Sequence, residues 1–432
     1  MKANEQGEQV DRTVVVDVDA VVQGILFAIL FFLVVFAVYV FNSGVRDAAP
    51  LHALMPKNQS RTEMVYAITK GPTPTCHAGT LLIMKGGSVL SAWFGGTREG
   101  LGDTGIYTAE RRQGEWTTPR LAAKINPLEL EGGEPHWNPV LFCASSSSDN
   151  QGCDGRDVWL FFKVGSPQKP WGCCGAWRTY YQRSSDKGAT WGPAIEMLLG
   201  DVGGRGPVKN KVIKLADGGW LAPGSLEIHG PWRAFTDLSL DEGRTWNKSK
   251  DVLVESGYFL PREMGVIQPS LWEAPPGQVH MLLRSKVGSG ERLPGRVMRA
   301  DSVDGGRTWG PPMPLPVPNP NSGLDLVRLP VSGILVLAHN PSYFDRQTLR
   351  LSISEDNGHT WPCGYDVVHV EEDSRWPEVS YPAIVAWPLD YSAREGVSVF
   401  FTWKRVTMAY FSISLANLRR QCVRTQYNQS VS

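Results

Sequence analysis

One eight-residue pattern, Ser-x-Asp-x-Gly-x-Thr-Trp, occurs four times in this chain. The copies begin at Ser184, Ser239, Ser302 and Ser354, and their aspartates lie 52 to 63 residues apart. A repeat of this length is one supersecondary unit that cannot bury its own apolar face and must stack against its neighbours. The pattern therefore predicts an array of similar units, such as the blades of a propeller.

The residues of the repeat also predict its local structure. The Asp carboxylate can accept backbone N–H groups just ahead of it, and the Gly two residues later adopts a positive φ without a Cβ penalty. The Thr-Trp pair then starts the next strand, with the indole as an anchor between sheets. Strand-like segments precede the copies, at 179–182, 233–238, 297–300 and 349–353. Each copy therefore predicts a hairpin.

The parts of the chain before and after the repeats complete the array. A first unit opens with strands at 81–84 and 89–94 and ends in a degenerate copy of the pattern at 114–116. The strands of a last unit are expected at 383–385, 397–402 and 408–412. The total is six units, and a six-bladed propeller binds ligands on its axis, where loops from every blade converge.

The repeat resembles the Asp box of the sialidase (neuraminidase) superfamily, and the resemblance extends over about residues 70–415. Within that superfamily the chain looks most like the Asp-box branch of predicted neuraminidases, through the stretches 206–211, 266–270, 318–325 and 380–383. The resemblance implies an all-β, six-bladed, sialidase-like β-propeller. It also implies that the Asp boxes lie on outer turns, away from the active site.

The N-terminal region has a different character. Residues 1–20 are polar and rich in acid, which predicts a disordered tail. Residues 21–41 contain no charged residue, and at about 1.5 Å per residue they cover the roughly 30 Å of a bilayer core. We expect one uncleaved transmembrane helix, a signal anchor. The alternatives are a buried helix and a cleaved signal peptide, although the acidic flank and the long apolar core disfavour the latter.

The remaining boundaries follow from these two regions. Residues 42–65 are expected to form a stalk, 66–420 the Asp-box propeller and 421–432 a C-terminal tail. We expect a single-pass membrane protein with the propeller on the extracellular or lumenal side, from the usual location of the fold and from the glycosylation sequons at Asn58, Asn247 and Asn428. The charges that flank the apolar segment do not decide the orientation.

Composition limits the partners and cofactors. The 43 basic and 43 acidic residues balance, so net charge gives no indication of a nucleic-acid partner. The seven Cys are scattered, and the adjacent Cys173 and Cys174 lack the spacing of a zinc site. We predict no metal and no cofactor. Cys143 and Cys153 bracket a Ser- and Gly-rich loop and could pair in an oxidising compartment.

The resemblance implies a set of catalytic parts: three arginines that bind the substrate carboxylate, a tyrosine nucleophile with a glutamate beside it, and an aspartic acid/base. A sialic acid carries its carboxylate on the anomeric carbon, so guanidinium groups can bind it bidentately. The same carboxylate would repel an anionic nucleophile. An activated Tyr therefore replaces the Asp or Glu that most retaining glycosidases use.

Several residues match these parts. Arg284 and Arg346, which precede the third and fourth boxes, match two of the arginines, and Tyr381 in the last blade matches the nucleophile. Asp103 follows Arg98 on a Gly-rich loop that resembles the loop of the acid/base, and Glu99 competes for that role. The alternatives are solvated arginines at strand ends, a core or rim tyrosine and an ordinary turn aspartate.

Two positions depart from the family pattern. His77 stands where the first arginine is expected, and Gln268 stands where the helper glutamate is expected. An imidazole cannot make a two-pronged contact, and a Gln side chain cannot take a proton. Glu227 or Glu378 could supply a base from another loop, and Lys209 and Lys211 could add positive charge for an acidic sugar.

We therefore expect a membrane-anchored glycoside hydrolase that resembles exo-alpha-sialidases. It would remove a terminal sialic acid or related acidic sugar from glycoconjugates by a retaining mechanism. His77 and Gln268 favour an alternative, a sialidase-like lectin that binds acidic glycans without turnover. A purely structural or adhesive ectodomain is a third possibility.

Overall fold

A computed structural model describes residues 72–126, 132–145, 152–165, 177–227, 232–254, 265–286, 295–371, 377–389, 392 and 394–425. The predicted N-terminal tail, transmembrane helix and stalk lie outside these ranges, as do Cys173 and Cys174. Within the described ranges, no helix has the length and apolar character needed to cross a membrane.

The described strands form six antiparallel sheets that follow one another in chain order. Blade 1 contains β1 (Thr75–Ile83), β2 (Val89–Gly96), β3 (Gly105–Arg112), β4 (Glu115–Trp116) and β5 (Arg120–Ala123). Blade 2 contains β6 (His136–Cys143), β7 (Val158–Val164), β8 (Arg178–Ser184) and β9 (Ile195–Glu196). Blade 3 contains β10 (Ile213–Lys214), β11 (Trp220–Leu226), β12 (Arg233–Ser239) and β13 (Asn247–Lys248).

The other three sheets come from the second half of the chain. Blade 4 contains β14 (Val266–Glu273), β15 (Val279–Ser285), β16 (Arg296–Ser302) and β17 (Met313–Pro318). Blade 5 contains β18 (Asp325–Arg328), β19 (Leu335–His339), β20 (Thr348–Ser354), β21 (Cys363–His369) and β25 (Val423–Arg424). Blade 6 contains β22 (Val379–Ala386), β23 (Gly396–Trp403) and β24 (Thr407–Ser414), after which the helix α1 (Leu415–Gln421) follows.

The six sheets close into a ring, which confirms the predicted six-bladed propeller. Neighbouring blades are in contact, for example through β1 and β6, β14 and β18, and β18 and β22, and β22 of blade 6 packs against β1 of blade 1. At this closure a Cβ on Gly79 would lie 2.4 Å from the Phe400 ring, so only glycine fits there. Because blades stack face to face, strands β2, β6 and β7 are buried along their whole length. Such strands show continuous apolar runs instead of alternation.

The Asp boxes connect the third and fourth strands of four blades, and all four have the same hydrogen bonds. The Asp carboxylate accepts the backbone N–H and the hydroxyl of the Thr four residues later, at 2.6 to 2.9 Å. The box Gly has a φ of 82° to 85° in every copy. The predicted turn is therefore confirmed.

The opposite end of the innermost strands has a second sixfold feature. One residue per blade, none of them glycine, has a φ between 44° and 62°: Ala78, Asn138, Lys209, Gln268, Asn321 and Tyr381. Four of these coincide with a shift in the register of the strand ladder. Such conformations cost on the order of 1–3 kcal/mol each, and a bulge turns a side chain in a new direction. At this end of the axis the backbone therefore adopts unfavourable conformations that set the direction of six side chains.

Two disulfides lie in the described part of the chain. Cys143 pairs with Cys153, as the sequence predicts, and Cys363 pairs with Cys422, which it does not predict. The second bond, together with the pairing of β25 with β21, joins the end of the chain to blade 5. Residues up to Thr425 therefore belong to the propeller, and the predicted boundary at residue 420 is too early.

Candidate active site

Arg284 lies near the end of β15 and is only 6% exposed. Its Nε donates to Asn321 Oδ1 at 2.8 Å, and its Nη1 donates to Gln268 Oε1 at 3.1 Å and to the Tyr381 hydroxyl oxygen. The guanidinium carbon lies 5.3 Å from the ring centre of Trp232 and 5.6 Å from that of Tyr381. Two aromatic rings and three hydrogen bonds thus fix this guanidinium, while its Nη2 has no hydrogen-bond partner among the described residues.

Glu378 joins two further arginines to this group. Arg346 Nη1 donates to Glu378 Oε1 at 2.9 Å, and Arg405 Nε donates to Glu378 Oε2 at 2.6 Å. The Arg346 guanidinium carbon also lies 5.6 Å from the Tyr381 ring centre. Burial opposes ionisation of Glu378, but the nearby positive charges outweigh it and hold the pKa of Glu378 well below its usual range. Glu378 is therefore a carboxylate shared by two guanidinium groups.

Glu227 follows β11 and lies on the other side of Gln268. Its Oε1 accepts hydrogen bonds from Ser225 Oγ at 3.2 Å and from Gln268 Nε2 at 3.3 Å. Burial raises the pKa of Glu227, although the charge of Arg284 acts in the opposite direction. A carboxyl group with a raised pKa beside a cluster of cations is a candidate for proton transfer.

His77 packs against Tyr381, with the two ring centres 4.2 Å apart. Its Nδ1 is 2.9 Å from Thr402 Oγ1, and its buried Nε2 has no partner in the described part of the chain. Burial and the charge of Arg405 are the main causes that lower the pKa of His77 to about 3. The imidazole is therefore uncharged at neutral pH, and residue 77 supplies no cation.

The BNR repeat-like domain is the family model that matches this sequence, over residues 87–391. The chain belongs to the BNR repeat-like family. Its fold is similar to the Hadza microbial sialidase Hz136, with 16% identity and a TM-score of 0.61 over 80% of this chain and 66% of that chain. No curated protein sequence matches the chain.

Two further solved structures show the range of the fold. The NanB sialidase of Streptococcus pneumoniae has 13% identity and a TM-score of 0.61, over 84% of this chain and 72% of that chain. The alpha-L-arabinanase of Penicillium chrysogenum has 13% identity and a TM-score of 0.54, over 82% of this chain and 98% of that chain. The BNR propeller thus has a fold that these sialidases and this arabinanase share.

The ammonium groups of the two predicted lysines are bonded to other parts of the BNR propeller. Lys209 Nζ donates to Asn210 Oδ1, to the Leu324 carbonyl and to the Pro382 carbonyl, which uses its three N–H groups. Burial lowers the pKa of Lys209 to about 7. These contacts support the backbone beside Tyr381 and do not support the predicted contact with substrate.

Lys211 points toward the other end of the axis. Its Nζ bonds both carboxylate oxygens of Asp325 at 2.8 Å and the Leu326 carbonyl. It lines a cavity of about 270 Å³ at the Asp-box end of the innermost strands, together with Lys214 and Arg328. That cavity contains none of the other predicted site residues, so the structure separates Lys211 from the Arg284 cluster.

The loop between β2 and β3 carries the remaining predicted residues. Asp103 is exposed and accepts the Thr97 N–H at 2.8 Å. Burial opposes ionisation of Asp103, but the hydrogen bonds from Thr97 and the other lowering contributions outweigh it, so the pKa of Asp103 is lowered. Arg98 is also exposed. Glu99, in contrast, bonds Arg405, so the structure joins Glu99 to the cluster, while Asp103 makes no described contact with it.

Arg405 is the site residue that sequence reasoning missed. It follows Lys404 in the turn between β23 and β24, and both residues have positive φ. Such a turn ordinarily contains Asn or Gly. Two long basic side chains between two clearly predicted strands were the available signal.

Proposed function

We propose that this BNR propeller is a glycoside hydrolase that removes a terminal acidic sugar, such as a sialic acid, from glycoconjugates. The observation that carries the proposal is the meeting of Arg284, Arg346 and Tyr381 at one end of the axis. Arg284 donates to the Tyr381 hydroxyl, and both guanidinium carbons lie 5.6 Å from the Tyr381 ring centre. Guanidinium groups beside a phenol suit a sugar whose carboxylate and reactive carbon are adjacent.

The balance of charge supports an anionic ligand. Three guanidinium groups, from Arg284, Arg346 and Arg405, face two carboxylates whose pKa values are lowered, those of Glu378 and Glu99. Burial raises the pKa of a third carboxyl group nearby, that of Glu227. Among the first five groups the guanidinium groups exceed the carboxylates by one, and Arg284 Nη2 has no hydrogen-bond partner in the described part of the chain. A single carboxylate on the sugar would complete the pairing.

The proposed reaction is a retaining hydrolysis. The Tyr381 oxygen attacks the anomeric carbon as the bond to the leaving oxygen breaks, and an acid protonates that oxygen. We assign the acid to the loop 97–104, to Asp103 by resemblance or to Glu99 by its contact with Arg405. Water then releases the sugar, with the same residue as base. Glu227 is the proposed proton acceptor for Tyr381, and Gln268 keeps it close to Arg284.

The test is an assay of the purified full-length protein on sialosides, glucuronides and arabino-oligosaccharides. We expect release of the acidic sugar by the wild type, loss of release in Tyr381→Phe and no change in Tyr343→Phe, a tyrosine whose ring packs over Arg296. Release from arabino-oligosaccharides alone would contradict the acidic substrate. Equal activity of Tyr381→Phe and wild type would remove the nucleophile from the proposal.

Gln268 favours a second candidate, a lectin that binds acidic glycans without turnover. The only carboxyl group hydrogen-bonded to Gln268 among the described residues is Glu227, and no described carboxylate bonds the Tyr381 hydroxyl. A nucleophile without an adjacent base would bind a sugar but react slowly. Binding of sialosides with no release by wild type or Tyr381→Phe would favour this candidate.

We also propose that residues 21–41 anchor the protein in a membrane, with the propeller on the extracellular or lumenal side. The disulfides Cys143–Cys153 and Cys363–Cys422 support an oxidising compartment. Asn247 is exposed on β13, where a glycan could be attached. The test is deglycosylation of the protein from its native host: a mobility shift that Asn247→Gln reduces would support this side, and protease sensitivity only from the cytoplasm would contradict it.

A further inference from the structure

The turn between β23 and β24 holds two basic residues in an unfavourable backbone conformation. Lys404 has a φ of 49° and Arg405 a φ of 54°, and the Val406 N–H closes the turn on the Trp403 carbonyl at 3.0 Å. Two consecutive positive φ values favour Asn and Gly, because a Cβ atom is strained there. Such strain in a residue with a long charged side chain points to a role for that side chain.

Neighbouring elements on both sides fix the backbone of this turn. The Cys76 N–H on β1 donates to the Arg405 carbonyl at 2.9 Å, and the Lys404 N–H donates to the Glu378 carbonyl at 2.7 Å. The turn is therefore attached both to the strand that carries His77 and to the segment that leads to Tyr381. Its position relative to the candidate site is set by the closure of the ring.

The side chain of Arg405 is directed by carboxylates. Arg405 donates to both oxygens of Glu378, from Nε to Oε2 at 2.6 Å and from Nη2 to Oε1 at 3.4 Å, and Arg346 also donates to Oε1, so one carboxylate joins the two guanidinium groups. Glu99 bonds Arg405 Nη1. The Arg405 side chain remains 25% exposed, so the guanidinium is held in place but is accessible.

Residue 77, where the family resemblance implies an arginine, supplies no positive charge. Its imidazole is buried and uncharged, and its neighbour Cys76 is bonded to the Arg405 backbone. We propose that Arg405 is the third guanidinium of the ligand-carboxylate site, supplied from the β23–β24 turn beside the uncharged residue 77. This inference rests on the proposed function and names the residue that sets the preference for an acidic sugar over its uncharged form.

The test compares ligands that differ only in charge. Full-length wild type, Arg405→Gln, Arg405→Lys and the control Lys404→Gln are titrated calorimetrically with N-acetylneuraminic acid and glucuronic acid, and with the methyl ester of each. We expect wild type to prefer the acid, and Arg405→Gln to lose roughly 10- to 100-fold in affinity for the acid with little change for the ester. Arg405→Lys should keep part of the preference, and Lys404→Gln all of it.

Each other outcome overturns the inference in a distinct way. If Arg405→Gln loses affinity for acid and ester equally, Arg405 has a structural role only. If Arg405→Gln keeps the full preference of wild type, Arg405 is not part of the carboxylate site, while the proposed function stands. If wild type binds neither acid, or binds acid and ester equally, the acidic-sugar function fails and the inference fails with it. Thermal unfolding of each variant identifies any misfolded protein.

Discussion

The two ends of the propeller axis are built in opposite ways. At the Asp-box end one hairpin is repeated four times, with Gly at the second position of positive φ and a carboxylate that bonds the Thr four residues later. At the other end, six residues with side chains adopt positive φ, one from each blade, and five residue types occupy the six positions. The repeated end builds the fold, and the varied end builds one asymmetric site.

Electrostatics separate the two ends in the same way. The box carboxylates have lowered pKa values, and hydrogen bonds from Thr190 are the main cause for Asp186. At the other end burial moves pKa values in both directions, upward for Glu227 and downward for His77 and Lys209. Lys209 shows that a strongly shifted group need not contact a ligand, because backbone carbonyls occupy its donors.

The largest expected effect compares one arginine at each end. Arg284→Lys keeps the charge but loses about two charge-assisted hydrogen bonds of roughly 1.5–3 kcal/mol each, so kcat/KM should fall about 10²- to 10⁴-fold. Arg307→Lys, in the third box, should leave kcat/KM unchanged, since among the described residues Arg307 hydrogen-bonds only Asp304. Steady-state kinetics on the best acidic substrate measure both. Similar losses in the two variants would break the functional contrast between the ends.

The sequence predicts the repeated end well because each box satisfies its own hydrogen bonds within a few residues. The Asp-to-Thr contacts span four residues, and the predicted disulfide joins cysteines ten residues apart. The pairing of Arg284 with Tyr381 spans 97 residues, and only the family resemblance predicts it. Local chemistry thus identifies turns, while resemblance identifies the pair on the axis.

What the sequence does not predict depends on closure of the ring. Arg405 meets Glu99 across 306 residues, and His77 meets Thr402 across 325. No local pattern links such distant positions. The sequence therefore shows that residue 77 is His where the resemblance implies Arg, but it does not show that Arg405 lies nearby. The contacts of the two lysines depend on long-range packing in the same way: Lys209 and Lys211 bond carbonyls and one carboxylate in or next to blades 5 and 6 that lie over 110 residues away.

A disulfide variant should change stability without changing the site. Cys363→Ser with Cys422→Ser opens a loop of 59 residues at the outer edge of blade 5, and the free energy of unfolding should fall by about 2–4 kcal/mol. Cys143→Ser with Cys153→Ser opens only 10 residues and should cost about 1–2 kcal/mol less. Denaturant unfolding measures both. A large loss of kcat/KM in folded Cys363/Cys422 variants would show that the site depends on the outer edge.

A buried carboxyl group at the site end should destabilise the protein at high pH. Because the pKa of Glu227 is raised in the folded state, its contribution to stability is present below the unfolded pKa and is lost as pH rises through the folded pKa. Glu227→Gln mimics the protonated form, so its melting temperature should exceed that of wild type at pH 8 and match it near pH 4. A lower melting temperature at pH 8 would contradict the burial of this group.

A box carboxylate should give a smaller effect of opposite sign. The pKa of Asp186 is lowered to about 2, so its contribution is present above the unfolded pKa and is lost as pH falls through the folded pKa. Asp186→Asn should therefore lower the melting temperature at pH 7, by a few degrees at most because the group is exposed, and the difference should shrink toward pH 2. Scanning calorimetry of Glu227→Gln and Asp186→Asn across pH tests the pair. Differences of the same sign in both variants would mean that the two ends do not use charge in opposite ways.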